Sequence, residues 1–242
     1  MTLSRNRNNL FIVFPILLFG MTGISRAEIL WSELGDAGES LGTAQAISGM
    51  DEITSIIGTI ESSATLGYED VDLFKIYIED FSIFSATTKN SAALDTDLFL
   101  FDSKGFGLAS NGDNVFATPP ELFATIPSDS VSGSPGIYYI GIAFAGDYPK
   151  SVTGRIFPDL FDLSSTGKVL GPISPGGNNP LSNWEYDGDP GRIPLPASYE
   201  INLTGVNTVP DVVPEPGSSL LILTGLASLV GLRCRQRLIK KS

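Results

Sequence analysis

The sequence predicts an all-β fold, an antiparallel β-sandwich or barrel, on three observations. Apolar residues gather in short runs dominated by Val, Ile, Phe, Tyr and Thr, types that fit a pleated, half-buried surface. Clusters of Gly, Asn, Asp, Ser and Pro separate these runs. No internal stretch keeps the period of a long amphipathic helix. Only the two ends read as helical, an N-terminal signal helix and a C-terminal transmembrane helix flanking the β body.

In chain order, the predicted strands cover residues 53–60 (ITSIIGTI), 71–78 (VDLFKIYI), 81–88 (FSIFSATT), 97–101 (DLFLF), 137–144 (IYYIGIAF) and 198–204 (SYEINLT). In VDLFKIYI, Leu73, Lys75 and Tyr77 alternate with Phe74, Ile76 and Ile78, as in a strand with one buried face. Turns are expected at Gly67, Glu79-Asp80, Ser103-Lys104-Gly105, residues 111–114 and residues 133–136. Pro119-Pro120 opens at most a short helical turn. Over 146–197 the strand pattern gives way to turns at Gly171-Pro172, residues 175–180 and residues 187–191. A loop this long is either functional or a partly ordered excursion. Trp184 and Tyr186 either pin it to the sandwich or form a ligand platform. The chain divides into residues 1–27, a sandwich over 28–209, and a terminal segment over 210–242.

The two ends are addresses rather than fold. Arg5 and Arg7 precede an uncharged apolar run over 10–24, and Ser25-Arg26-Ala27 places signal-peptidase cleavage between Ala27 and Glu28. The run is short for a permanent anchor and contains Pro15 and Gly20. At the other end, Val213-Pro214-Glu215-Pro216 precedes an apolar helix over 217–232 and a basic tail over 233–242. That helix would span about 24 Å against a hydrocarbon core of about 30 Å, enough to hold the chain in a membrane before processing. The cationic tail places the last residues on the cytoplasmic side and the body outside.

The order Pro214-Glu215-Pro216, apolar helix, arginine-rich tail resembles the PEP-CTERM sorting signal of Gram-negative bacteria. The resemblance implies recognition by an exosortase, a membrane-embedded cysteine protease-transpeptidase, after signal peptidase and the general export machinery have acted. It implies a host that makes extracellular polysaccharide or biofilm matrix. The expected location is a membrane-anchored precursor, then the outer surface or the matrix.

With the ends set aside, the charge sharpens. Residues 28–213 hold 26 acidic against 7 basic side chains, a net of −19, where the whole chain carries −12. Such a surface repels phosphate backbones, which argues against nucleic acid as a partner and favours divalent cations or cationic partners. The one cysteine, Cys234, sits in the basic tail, so the body has neither a disulfide nor a thiol nucleophile. The chain has no histidine, so no Ser-His-Asp or Cys-His centre and no His-containing zinc site can form. Enzymatic chemistry would rest on carboxylates alone, and the reading from sequence is not an enzyme.

A second resemblance lies in the body. Asp70 to Ile76 (DVDLFKI), Asp95 to Asp102 (DTDLFLFD), Gly105 to Asp113 (GFGLASNGD) and Gly136 to Ile142 (GIYYIGI) are, in that order, similar to bacterial pre-peptidase C-terminal (PPC-like) domains. The resemblance is greatest to the version carried on PEP-CTERM tails. It covers about residues 39–144, with residues 199–205 as a last strand. It implies a jelly-roll-like sandwich and an accessory, non-catalytic domain. Here Gly112-Asp113-Asn114 stands where the family often has an acidic pair after the Asn.

Calcium takes six to eight oxygen ligands. Asp95 and Asp97 share a face at the entry to one strand, Asp102 ends it, and Asn111 and Asp113 form an oxygen-rich turn soon after. These five are the candidate calcium ligands. The alternative is that Asp102 and Asn111 cap turns and the remaining acids are solubilising charge. Asp187-Gly188-Asp189 is a looser candidate without the EF-hand spacing. Trp31, Tyr138, Tyr139, Tyr148, Trp184 and Tyr186 are candidates for stacking on sugar rings, with packing as the alternative. Three functions remain: a non-enzymatic surface or matrix protein, a carbohydrate-binding module for matrix polysaccharide, and a carboxylate-dependent secreted hydrolase.

Overall fold

The computed structural model describes residues 28–210 except 50, 62–69, 92–93, 114–119, 161, 163 and 188–195. Ala27 and the signal peptide, Gly67, Pro119, Asp189, the Pro214-Glu215-Pro216 motif, the apolar helix and the basic tail lie outside the described residues. Within them no helix is long and apolar enough to cross a membrane.

The strands are β1 (Glu28–Ser32), β2 (Gln45–Ala46), β3 (Ser48–Gly49), β4 (Glu52–Ile60), β5 (Val71–Ile78), β6 (Ser85–Thr87), β7 (Thr96–Asp102) and β8 (Gly107–Asn111). They continue as β9 (Thr125–Ile126), β10 (Gly136–Phe144), β11 (Asp147–Ser151), β12 (Gly154–Arg155), β13 (Asn183–Tyr186), β14 (Ala197–Thr204), β15 (Val206–Asn207) and β16 (Val209–Pro210). Apart from two single 3-10 turns, at Lys89–Ser91 and Gly176–Asn178, the regular structure of the described residues is all β, and its pairing is mostly antiparallel. One large sheet runs β8-β7-β10-β5-β15-β4-β14-β6-β9 and folds over on itself, with β15 bridging the two halves. Three short pairings are parallel: β1 on β4, β2 on β5, and β16 on β3.

The main core lies between the halves. Ile56 and Ile60 of β4 and Ile201 of β14 meet Phe74 and Ile76 of β5 and Ile140 of β10. The strand at 71–78 has the predicted bounds, but only its second half alternates between buried and half-buried; Val71 to Phe74 are all buried. The reason is a third layer. Residues 147–186 form a small sheet, β12-β11-β13, whose Tyr148, Phe157, Leu160 and Trp184 make a second core against Leu73, Phe99, Phe101 and Tyr139. β7 is therefore covered on both faces, which explains an apolar run without alternation. Trp184 anchors the layer. Its ring meets Phe99 at 5.4 Å and Phe101 at 6.4 Å, both edge-on, and its Nε1 donates to the Glu39 carbonyl at 2.8 Å. Within the expected strand at 81–88 only 85–87 pairs; Phe81 and Phe84 drop into the core from a turn.

Candidate functional site

Two groups of carboxylates sit on opposite faces of the β5–β10–β7 sheet. The first forms where β7 begins. Asp97 lies opposite Ala143 of β10, so it shares the face of Phe99 and points toward the third layer. There it is 2% exposed. One carboxylate oxygen takes the Gly146 N–H, and Oδ2 has no hydrogen-bond partner. Burial pushes Asp97 well above the usual carboxylate range, and the charges of Asp95, Asp113 and Asp147 push it further. None of these leading influences is a cation.

Asp113 is placed by its own carbonyl, which accepts from Gly167 N at 2.6 Å and Thr166 Oγ1 at 2.9 Å. Its carboxyl shares a hydrogen bond with Asp95. It is raised to about 8 by burial first, then by Asp95. A Cβ on Gly112 would collide with Asp97 Oδ1, so the chain approaches this carboxylate only because residue 112 is glycine.

The structure brings together Asp95, Asp97 and Asp113 of the predicted ligands, and adds Asp147, the first residue of β11. It does not bring in Asp102, which stands at the far end of β7. There its Oδ1 accepts from Lys104 N at 2.8 Å and Phe106 N at 2.9 Å, capping the turn. Asn111 is also committed to backbone: Oδ1 accepts from Thr125 N at 2.5 Å and Nδ2 donates to the Lys168 carbonyl at 2.9 Å.

The second group is tighter and was not anticipated. Glu33 follows β1, and its carboxylate accepts from Ala37 N at 2.9 Å and Thr59 N at 3.0 Å. Asp36 Oδ1 accepts from Gly38 N at 2.7 Å. Asp72, in β5 opposite Ile142, points to the main-core face and is fully buried. One oxygen from each of Glu33, Asp36 and Asp72 lies within 4.8 Å of the others. Asp72 Oδ2 accepts from the Tyr199 hydroxyl at 2.6 Å, and Oδ1 has no hydrogen-bond partner. Burial raises Asp72 to about 9; the Tyr199 hydroxyl opposes this, while the charges of Asp70 and Glu33 and a hydrogen bond shared with the Glu33 carboxyl add to it. Asp70 is raised to about 6, again chiefly by burial, with Asp36, Glu33 and Glu39 contributing. The sequence signal for this group was available: Asp72 stands where the strand pattern of VDLFKIYI demands a buried residue. Nothing in the spacing links it to Glu33 and Asp36, nearly forty residues earlier.

Buried carboxylates with unpartnered oxygens and no cation among their main influences can hold a hard divalent cation. The aromatics are disposed otherwise. Tyr138, Tyr139, Tyr148 and Trp184 are buried. Trp31 is half-buried with Nε1 on Gln45 Oε1 at 3.1 Å, and Tyr186 is half-buried in β13. An open cavity of ~390 Å³ elsewhere is lined by Glu52, Glu79, Asp80 and Asn207. Asp80 there is held below its ordinary value by Ser82, the reverse of what a general acid requires. No family model, curated protein or solved structure matches the chain.

Proposed function

We propose that this chain is an exported, non-enzymatic surface or matrix protein whose body is a jelly-roll-like, calcium-stabilised sandwich. In this reading an exosortase sorts it through Pro214-Glu215-Pro216. The observation that carries the non-enzymatic part is the placement of its carboxylates. The acids with raised values, Asp70, Asp72, Asp97 and Asp113, lie in packed clusters and do not line the cavity beside Asp80, where Asp80 itself moves the other way. A glycosidase instead needs two carboxyls about 5–9.5 Å apart across a cleft that admits a sugar. The carbohydrate-module reading is less supported, because four of its six candidate aromatics are buried in the two cores.

Calcium is proposed at Asp95, Asp97 and Asp113, with Asp147 as a further oxygen donor. The unpartnered Oδ2 of buried Asp97 supports this assignment. The melting temperature of the full chain should rise with calcium and fall with EDTA; identical values would remove calcium from the reading. Replacing Pro214-Glu215-Pro216 by alanines should leave an unprocessed, membrane-retained precursor in the native host. Normal maturation of that variant would sink the sorting proposal.

A further inference from the structure

We propose that Glu33, Asp36 and Asp72 form a second divalent-cation site, independent of the one at Asp97, that staples the N-terminal strand to the sandwich. The three carboxylates come from two segments: Glu33 and Asp36 from the strap after β1, and Asp72 from inside β5. One oxygen from each lies within 4.8 Å of the other two, a span that a single ion with ligand distances of about 2.3–2.6 Å can bridge. Asp72 sets this group apart from an ordinary surface cluster of acids. It is fully buried, its Oδ2 takes the Tyr199 hydroxyl, its Oδ1 is buried without a hydrogen-bond partner, and its carboxyl is close enough to that of Glu33 for the two to share a proton. Burying a carboxylate oxygen in this way is costly unless a proton or a cation compensates it.

The surroundings are built for the approach. Gly58 lies on β4 beneath the group, where a Cβ would collide with the Tyr199 hydroxyl and Glu33 Oε2. The Glu33 N–H donates to the Ile57 carbonyl at 2.8 Å, which continues the β1–β4 pairing to the residue that carries the ligand. Asp36 is exposed, so the remaining ligand positions open to water, as calcium sites allow. The ligand class is a hard, oxygen-seeking divalent cation, calcium before magnesium, because three carboxylates from two segments tolerate the larger ion's flexible geometry better than a strict octahedron. Without the ion, β1 is held by a short parallel pairing and half-exposed contacts. With it, the strap is tied to a buried residue of the central sheet.

The test is calcium titration of the full 242-residue chain by calorimetry after chelation, with magnesium as a parallel arm. Wild type should bind one more calcium than Asp36→Asn, or Asp36→Asn should bind that ion at least tenfold more weakly. Asp36 is exposed and asparagine keeps an acceptor for Gly38 N, so this variant leaves the fold intact; Glu33→Gln added to it should abolish the ion. Hydrogen exchange over residues 28–38 of the wild type, which needs no variant, should slow at least tenfold on adding calcium. Equal stoichiometry and affinity in wild type and both variants, or unchanged exchange over 28–38, would overturn the proposal. Asp97→Asn reports on the other site separately: it should lose the first ion and leave the exchange of 28–38 calcium-dependent.

Discussion

At the scale of single residues, the two glycines beside the carboxylates are as informative as the acids. Gly58 sits inside a strand, where glycine normally weakens the sheet, yet no other residue leaves room for Tyr199 and Glu33. Gly58→Ala should therefore destabilise the protein by about 1–3 kcal/mol through overpacking, measured by urea denaturation. A neutral result would mean that Tyr199 and Glu33 move aside freely and that their geometry is not fixed. The acids differ in how far the sequence exposed them. Asp95, Asp97 and Asp113 were legible because two of them flank a strand entry and the third lies in a turn. Asp147 was not, because Gly146-Asp147 reads as an ordinary turn after an apolar strand. Asp102 shows the limit from the other side: an acid at a strand end serves as well for capping as for ligation, and its two backbone bonds decide for capping.

At the scale of elements, the long strands were legible and the third layer was not. β4, β5, β7, β10 and β14 appear within a residue of their predicted bounds, because β-branched and aromatic side chains mark them locally. β11, β12 and β13 are short, lie among turns, and β11 carries Pro149. They are held by tertiary packing, which no local pattern encodes. Trp184→Ala should remove that packing at a cost of about 3–5 kcal/mol and expose residues 147–186 to proteolysis before the sandwich. Cleavage of both at the same rate would mean the layer is not a separate unit. Its outer face is tied electrostatically. Lys150 and Arg155 both pair with Glu185, and Arg155 also reaches Asp187 at 2.6 Å and stacks on Tyr148 at 4.1 Å. Lys150 first, then Arg155, hold Glu185 below its ordinary value of 4.5. A depressed acid contributes stability above its unfolded value and loses it as pH falls through the folded one. The difference between wild type and Glu185→Gln should be present at pH 7, stay under about 1 kcal/mol because the pair is part-exposed, and close as pH drops below about 4.5. A gap that widens in acid would place the stabilisation elsewhere.

At the scale of the whole molecule, charge is the organising fact. A body with a net of −19 over residues 28–213 repels itself when folded. Two different remedies act on different parts of that charge. Monovalent salt screens exposed carboxylates, since the Debye length falls from about 10 Å at 0.1 M to about 3 Å at 1 M. It does little for Asp72 and Asp97, which are buried away from the ion atmosphere. A divalent cation does the opposite: it compensates the buried groups directly and leaves the surface charge largely in place. The chelated protein should therefore gain some melting temperature in 1 M sodium chloride and a further gain from millimolar calcium added on top. Combining Asp97→Asn with Asp36→Asn and Glu33→Gln should erase the calcium gain and leave the salt gain. If sodium chloride alone recovers the whole effect of calcium, the buried clusters are compensated by protons alone and the divalent sites do not exist. The same division explains why composition could point to a cation without locating it. Net charge is set by the many exposed acids, whereas binding depends on the few that the fold removes from water.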